Sequence, residues 1–325
     1  MKRQELLSHV FDSAIFREWY WFWYHFEHLR RGRSHPLAEA IINACLDCEY
    51  RMPGYAKRTI DILASICGRE KHLPDWEQLL QYLAELHVVR HILAYPWPEG
   101  TSFEAEPAAE GTRKNPEVAI HTSEFTLGVE VKAPALFRHQ EQRTNNAIQL
   151  SARAVPKSMH ASLPGIEKGI TLPRDNPVKD FLASADQKFH GFNHQETFCG
   201  ILVIVWDDFI YEPISALCHA DCGLFTERSF AKDLQGTPLK FSAVDGVVII
   251  RHLHQLVRAC RDEPLTDLCR HPLDYGRPGE FPWKAFLPNP NGREVPDAVI
   301  ECFQARVPSP DMGAEYFPND IVWWS

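Results

Sequence analysis

Glu117, Glu130 and Lys132 carry the strongest chemical signal in this sequence. They lie in the stretch Asn115 to Pro134, whose alternating and β-branched residues predict a hairpin. With the turn centred between Ser123 and Glu124, facing residues sum to 247 and Glu117 lies opposite Glu130. Two carboxylates across a ladder repel each other. At ~5 Å and an effective dielectric of ~20, the cost is roughly 3 kcal/mol. A divalent cation between them turns the repulsion into a site. Glu130 and Lys132 are one residue apart on a strand, so their side chains share a face. The backbone carbonyl of Val131 adds an oxygen donor. Hard oxygen ligands in this number suit Mg²⁺ or Mn²⁺. A metal-bound water is a better nucleophile, and the ion also neutralises phosphate charge. Lys132 can hold or deprotonate the attacking water and stabilise a pentavalent phosphorane.

Several elements must position these groups. Pro74-Asp75 opens a helix whose apolar positions, Leu79 to Leu93, follow helical spacing until Pro96, Pro98 and Gly100 end it. Three strands are predicted at Phe103 to Ala105, Glu117 to His121 and Thr126 to Ala133. A helix is predicted from about Gln140 to Ala154, then a loop to residue 175. Asn176-Pro177 starts another helix, marked by Val178, Phe181, Leu182, Ala185 and Phe189. Gly200 to Trp206 and Gly246 to Ile250 are continuous apolar runs, as expected of strands buried on both faces. A helix from about Leu253 to Cys260 follows. The outline is a mixed-sheet α/β sandwich, with antiparallel strands first and a buried parallel strand joined through helices.

Pro116-Glu117, then twelve residues, then Glu130-Val131-Lys132 resembles the PD-(D/E)xK nuclease motif. The αβββαβ order is similar to that superfamily's restriction-endonuclease-like core. The resemblance covers residues 75 to 206, or to 250 if the last strand joins the sheet. It implies metal-dependent phosphodiester hydrolysis, usually in DNA. Carried over, it makes Glu117 and Glu130 metal ligands and Lys132 catalytic. It gives Glu85, on the preceding helix, the place of an extra acidic ligand. Gln149, on the following helix, takes a polar position that supports the site or touches the nucleic-acid backbone. The sequence departs from the motif in one respect: the first acid is usually Asp, and no Asp lies between Gly100 and Glu130. The alternative within the same fold is a catalytically inactive module that binds nucleic acid or a partner protein. The bland alternative is an exposed strand with a Glu-Lys surface pair.

Composition bounds the partners. With 34 Lys and Arg against 43 Asp and Glu, the net charge is −9, which excludes a whole-surface basic field. Between Arg113 and Lys157, however, seven basic residues stand against four acidic ones, a local +3. Arg143 and Arg153, about 80° apart on one helix at ~100° per residue, can contact phosphates with Arg113, Lys114 and Arg138. No apolar run approaches the roughly 20 residues of a membrane helix, and Met-Lys-Arg-Gln-Glu at the N-terminus runs into mixed polar sequence with no apolar h-region, so a cytoplasmic protein is expected.

The chain divides into an aromatic-rich helical region (1–73, three helices punctuated by Pro36 and Pro53-Gly54), the nuclease-like core (74–260) and a Pro-rich C-terminal extension (261–325). The extension holds ten of the 24 prolines, which predicts loops and short strands such as Ala298 to Phe303. The flanking regions are candidates for substrate selection, a homodimer contact or a partner protein.

Nine cysteines, an odd number, read as reduced thiols. Cys45 and Cys48 form a single CxxC in a helical pattern and read as buried structural thiols. Cys218, His219 and Cys222, with Cys260, Cys269 and His271, have spacing too irregular for a zinc signature. Phosphate-loop, dinucleotide and α/β-hydrolase motifs are missing from the sequence.

Overall fold

A computed structural model describes residues 1–17, 20–66, 72–108, 115–150, 169–192 and 197–319. Five helices come first: α1 (Arg3–Asp12), α2 (Ala14–Arg17), α3 (Trp21–Arg30), α4 (Pro36–Arg51) and α5 (Tyr55–Ser65). The prolines do divide the region, but the first of its three expected helices is itself in three pieces. Ser13 is extended and its hydroxyl donates to Val10 O at 2.6 Å, which ends α1; the extended backbone of Tyr20 precedes α3.

The long α6 (Leu73–Ala94) leads into β1 (Ser102–Ala105), β2 (Val118–His121) and β3 (Thr126–Lys132). Then come α7 (Leu136–Asn145), the short β4 (Ile148–Gln149) and β5 (Ile170–Thr171), α8 (Pro177–His190) and β6 (Phe198–Trp206). The chain continues through α9 (Tyr211–Cys218), β7 (Gly246–Arg251), α10 (Leu253–Cys260), β8 (Lys284–Pro288), α11 (Asp297–Cys302) and β9 (Ala305–Arg306). The fold is α/β, with a mixed seven-stranded sheet in the order β1-β2-β3-β6-β7-β8-β9. Strands β3, β6 and β7 are mutually parallel, flanked by antiparallel β1 and β2 on one side and antiparallel β8 on the other.

Two expected elements differ. The helix expected from Gln140 to Ala154 begins earlier and stops at Asn145, because Thr144, Asn145 and Asn146 are poor helix formers. Asn146 turns extended and donates from Nδ2 to Thr171 Oγ1 at 3.1 Å. Ala298 to Phe303, expected as a strand, is mostly the helix α11. Pro296 precedes it and Asp297 sits in its first turn, both helix-start features.

The period-two rule sorts the sheet into two cores. Leu127, Val129 and Val131 of β3 and Ile201, Val203 and Val205 of β6 face the N-terminal helices, α10 and α11. Leu202, Ile204 and Trp206 of β6 face α8 and α9. All nine residues of β6 are buried, as its unbroken apolar run requires.

Helix α8 seats on the sheet at a pair of glycines, Gly128 opposite Gly200. A Cβ on Gly200 would lie 2.6 Å from the Ala243 carbonyl oxygen and 2.7 Å from Phe189 of α8. The glycines therefore admit Phe189 close to the strands. Lys188, one residue earlier, is thereby brought over the even-numbered face of β3.

Candidate active site

Glu130 and Lys132 occupy that face, as their spacing requires. Glu130 is fully buried, and Lys132 Nζ lies 2.5 Å from its Oε1. Val131 points its side chain into the opposite core, so only its backbone is left for the site. The paired residues of β2 and β3 do sum to 247, ending at Val118 opposite Val129. The strand, however, starts one residue later than expected. Glu117 is a bend whose N–H donates to Val129 O at 3.0 Å. The second carboxylate thus stands at the strand entrance beside Glu130 instead of within the ladder.

Lys188 bridges the two acids and was not among the expected site residues. Its Nζ lies 2.7 Å from Glu130 and 3.5 Å from Glu117 Oε1. Both contacts share one nitrogen, so the two acids cannot be further apart than the sum of these distances. The sequence did hold a signal. Position 188 is seven residues after Phe181 on the stripe Val178, Phe181, Leu182, Ala185, Phe189, where an apolar residue is the ordinary choice.

The electrostatics follow from this crowding. Burial, reinforced by the charge of Glu130, pushes the Glu117 carboxyl up to about 7, with Lys188 and Lys132 pulling the other way. Burial also lifts Glu85 of α6 well above the usual carboxylate range, with Glu117 and Glu130 adding to it. Lys188 is desolvated, yet the two acids more than offset this and raise it above the ordinary lysine value. Glu130 Oε1, although close to Lys132, makes no properly directed hydrogen bond.

The remaining expected residues are distributed as follows. Glu85 is a charge neighbour of the two acids on half-buried α6, and the three carboxylates do not gather tightly. Among the described residues, the one set of three metal-type donors within 4.8 Å of one another is Asp208, His254 and Asp267, and Arg251 already lies 2.9 Å from Asp208 and 3.5 Å from Asp267. Gln149 is in β4, not on a helix. It is exposed, and its Nε2 donates to the carbonyls of Arg143 and Asn146, both at 3.0 Å, so its amide caps the end of α7.

Arg143 is on the last turn of α7 and lines a cavity of about 450 Å³ with Arg174, Arg258 and Arg261. This cavity lies at the carboxyl ends of β3, β6 and β7, next to Pro134, Asp207 and Leu253, where open α/β sheets bind ligands. Arg138 is tied to Glu77: its backbone N–H donates to Oε1 at 2.6 Å and its guanidinium lies 3.5 Å from Oε2. Arg113, Lys114 and Arg153 lie outside the described residues.

Cys45 and Cys48 are buried free thiols on α4, and burial holds both thiols protonated. No helix among the described residues is long and apolar enough to cross a membrane. No protein-family model, no curated protein and no solved structure matches this chain.

Proposed function

We propose that this protein is a Mg²⁺- or Mn²⁺-dependent phosphodiesterase acting on nucleic acid, DNA in the first place, with a restriction-endonuclease-like core. One observation carries the reading: Glu117 and Glu130 meet at the end of a hairpin, with Lys132 on the same face of β3 and Lys188 reaching both acids. The order α6, β1, β2, β3, α7, β4, β5, α8, β6 supports it, since it contains the αβββαβ succession of such a core with α7 and the short β4 and β5 inserted before α8.

The donor set fits a hard divalent ion. Glu130 holds a buried oxygen without a directed hydrogen bond, and the Glu117 carboxyl is pushed up to about 7 by burial and the Glu130 charge, a crowding that a divalent ion would relieve. Glu117, Glu130 and the Val131 carbonyl would hold the ion, which supplies charge neutralisation at the phosphate and an acidified water. Lys132, whose Nζ lies 2.5 Å from Glu130, would hold the attacking water and the developing negative charge on phosphorus oxygens. Lys188 keeps the two acids converged against their mutual repulsion. The Glu117 carboxyl lies at about 7, so a cation that bound there would release its proton to water without a large penalty near neutrality. Arg143 lines the cavity at the carboxyl ends of β3, β6 and β7, whose four arginines are matched by Glu77, Asp207, Asp208 and Glu263, and offers a contact for a flanking phosphate.

A second reading within the same fold is a binding module without catalysis. Its support is that two ammonium groups already compensate Glu130. Incubation of the purified chain with supercoiled plasmid, single-stranded DNA and RNA separates the two, in Mg²⁺, Mn²⁺ or chelator. Metal-dependent cleavage that is lost in Glu130→Ala and Lys132→Ala is the expected result. Binding without cleavage, unaffected by these substitutions, leaves the second reading. Neither binding nor divalent-metal affinity overturns both.

A further inference from the structure

A separate cavity, of about 500 Å³, opens where β7 and β8 meet beyond the sheet. Arg251 ends β7 and Lys284 begins β8, and the segment from Asp267 to Pro282 forms most of the remaining wall, with His87, His252 and Gln255. Lys284 is the unusual member. It is 4% exposed, and no carboxylate among the described residues lies in ion-pair distance of it. Its Nζ has one acceptor, Gln304 Oε1, at a long 3.3 Å, and sits 4.9 Å from the Tyr275 ring centroid. An ammonium carries three N–H donors, so among the described residues protein groups take up only one of them. The nearby acids are committed elsewhere. Asp274 accepts from Arg270 Nε at 2.7 Å and from Gly276 N–H at 3.0 Å, and exposed Glu280 lies 3.9 Å from Arg277.

The surroundings sharpen the anomaly. His87, 1% exposed, lines the same cavity with neither ring nitrogen partnered, stacked 3.9 Å from His252 and 5.2 Å from Tyr275. At the rim, Asp267 and Leu268 hold φ of 54° and 56°, a left-handed pair without glycine, and Leu268 is fully exposed. Such backbone strain concentrates around ligand sites. A buried ammonium without a counterion is costly, and here it borders open space.

We propose that this cavity binds a small molecule bearing an oxyanion, phosphate or carboxylate, with Lys284 as its deep counter-charge and Arg277 at the mouth. The walls of Tyr275, Phe281 and the imidazoles of His87 and His252 then cover the apolar body of the ligand. Burial draws the Lys284 ammonium down to about 8, with Asp274 and Glu280 opposing, so it is still mostly charged at neutral pH. The other titratable or charged groups of the lining are Arg251, Arg270, Arg277, Asp267 and Cys269, with His87 and His252, whose imidazoles burial pulls below their ordinary range. This proposal does not depend on the phosphodiesterase reading.

Thermal unfolding of the full chain at pH 7, with inorganic phosphate or acetate titrated at constant ionic strength, tests it. The midpoint of the wild type rises with at least one of the two, and the more effective one identifies the anion class. Lys284→Met keeps the length of the side chain and removes the charge. Without anion it unfolds at or above the wild-type temperature, and its half-maximal anion concentration is at least about thirtyfold higher. Arg277→Gln weakens the response less. A wild type that responds to neither anion overturns the proposal. So does a Lys284→Met chain that responds like the wild type. A Lys284→Met chain that unfolds at lower temperature without anion assigns Lys284 to packing on Tyr275 and overturns it as well.

Discussion

Replacement of Glu117 by Gln should make the metal-free protein more stable at pH 8 and leave it nearly unchanged in acid. The folded chain holds the Glu117 proton up to about pH 7, whereas the unfolded chain releases it near 4.5. Between these values the folded state binds the extra proton. Stability therefore falls as pH rises through this window, and the full penalty is present above 7. Each unit of displacement is worth ~1.4 kcal/mol, so the penalty approaches roughly 3 kcal/mol. Gln keeps the shape and cannot ionise, so it escapes the penalty. Glu85 moderates the difference, because its own proton is held partly by the charge of Glu117. Urea unfolding in chelator at pH 4.5, 6, 7 and 8 measures it. The two chains should be equal at the lowest pH, with Glu117→Gln ahead by ~2–3 kcal/mol at the highest. A difference that does not vary with pH, or a Gln variant that is weaker at pH 8, would refute the claim that buried carboxylate crowding governs this site.

Lys188→Met removes one of the two ammoniums that face a fully buried carboxylate, and should cost about 2–4 kcal/mol at pH 8 by the same unfolding measurement. A loss below about 0.5 kcal/mol would mean that Lys132 alone compensates Glu130. Gly200→Ala drives a methyl against the Ala243 carbonyl and Phe189, and should lower stability by about 1–3 kcal/mol. An unchanged urea midpoint would show that α8 is not held at the glycine pair.

The hairpin and its register were legible because three constraints agree there. Alternation sets the strands, Ser123-Glu124 sets the turn, and the side-chain period fixes which residues share a face. Glu130 and Lys132 therefore fall where the pattern puts them. Glu117 deviates by one residue, because its N–H turns back to Val129 O and bends the strand entrance. Such a bend depends on backbone hydrogen bonds that side-chain alternation does not encode. Gln149 was misplaced for a different reason. Local propensity at Thr144, Asn145 and Asn146 ends α7 early, and the apolar pattern beyond it is too weak to show the break. Lys188 is separated from Glu130 by 58 residues, so its role is a tertiary fact. Only a polar residue on an apolar stripe betrays it. The buried Lys284 was invisible because β8 was not resolved as a strand within a proline-rich tail.

The charge state of the cluster sets a condition on how any cation enters. Burial lifts Glu85 well above the usual carboxylate range, and Glu117, pushed up to about 7, holds its proton for much of the time near neutrality. Glu130 then faces two ammoniums, so the metal-free group is closer to cationic than to anionic. Such a group attracts a phosphodiester before it attracts a divalent ion. An ion that binds must displace the Glu117 proton and loosen Lys188 from Glu130, and both steps become easier as pH rises and as a bound phosphate adds negative charge. Under the proposed phosphodiesterase reading, substrate and cation would therefore favour each other at this site. That coupling distinguishes a working centre from a structural ion pair, because a salt bridge that only holds β3 to α8 gains nothing from either.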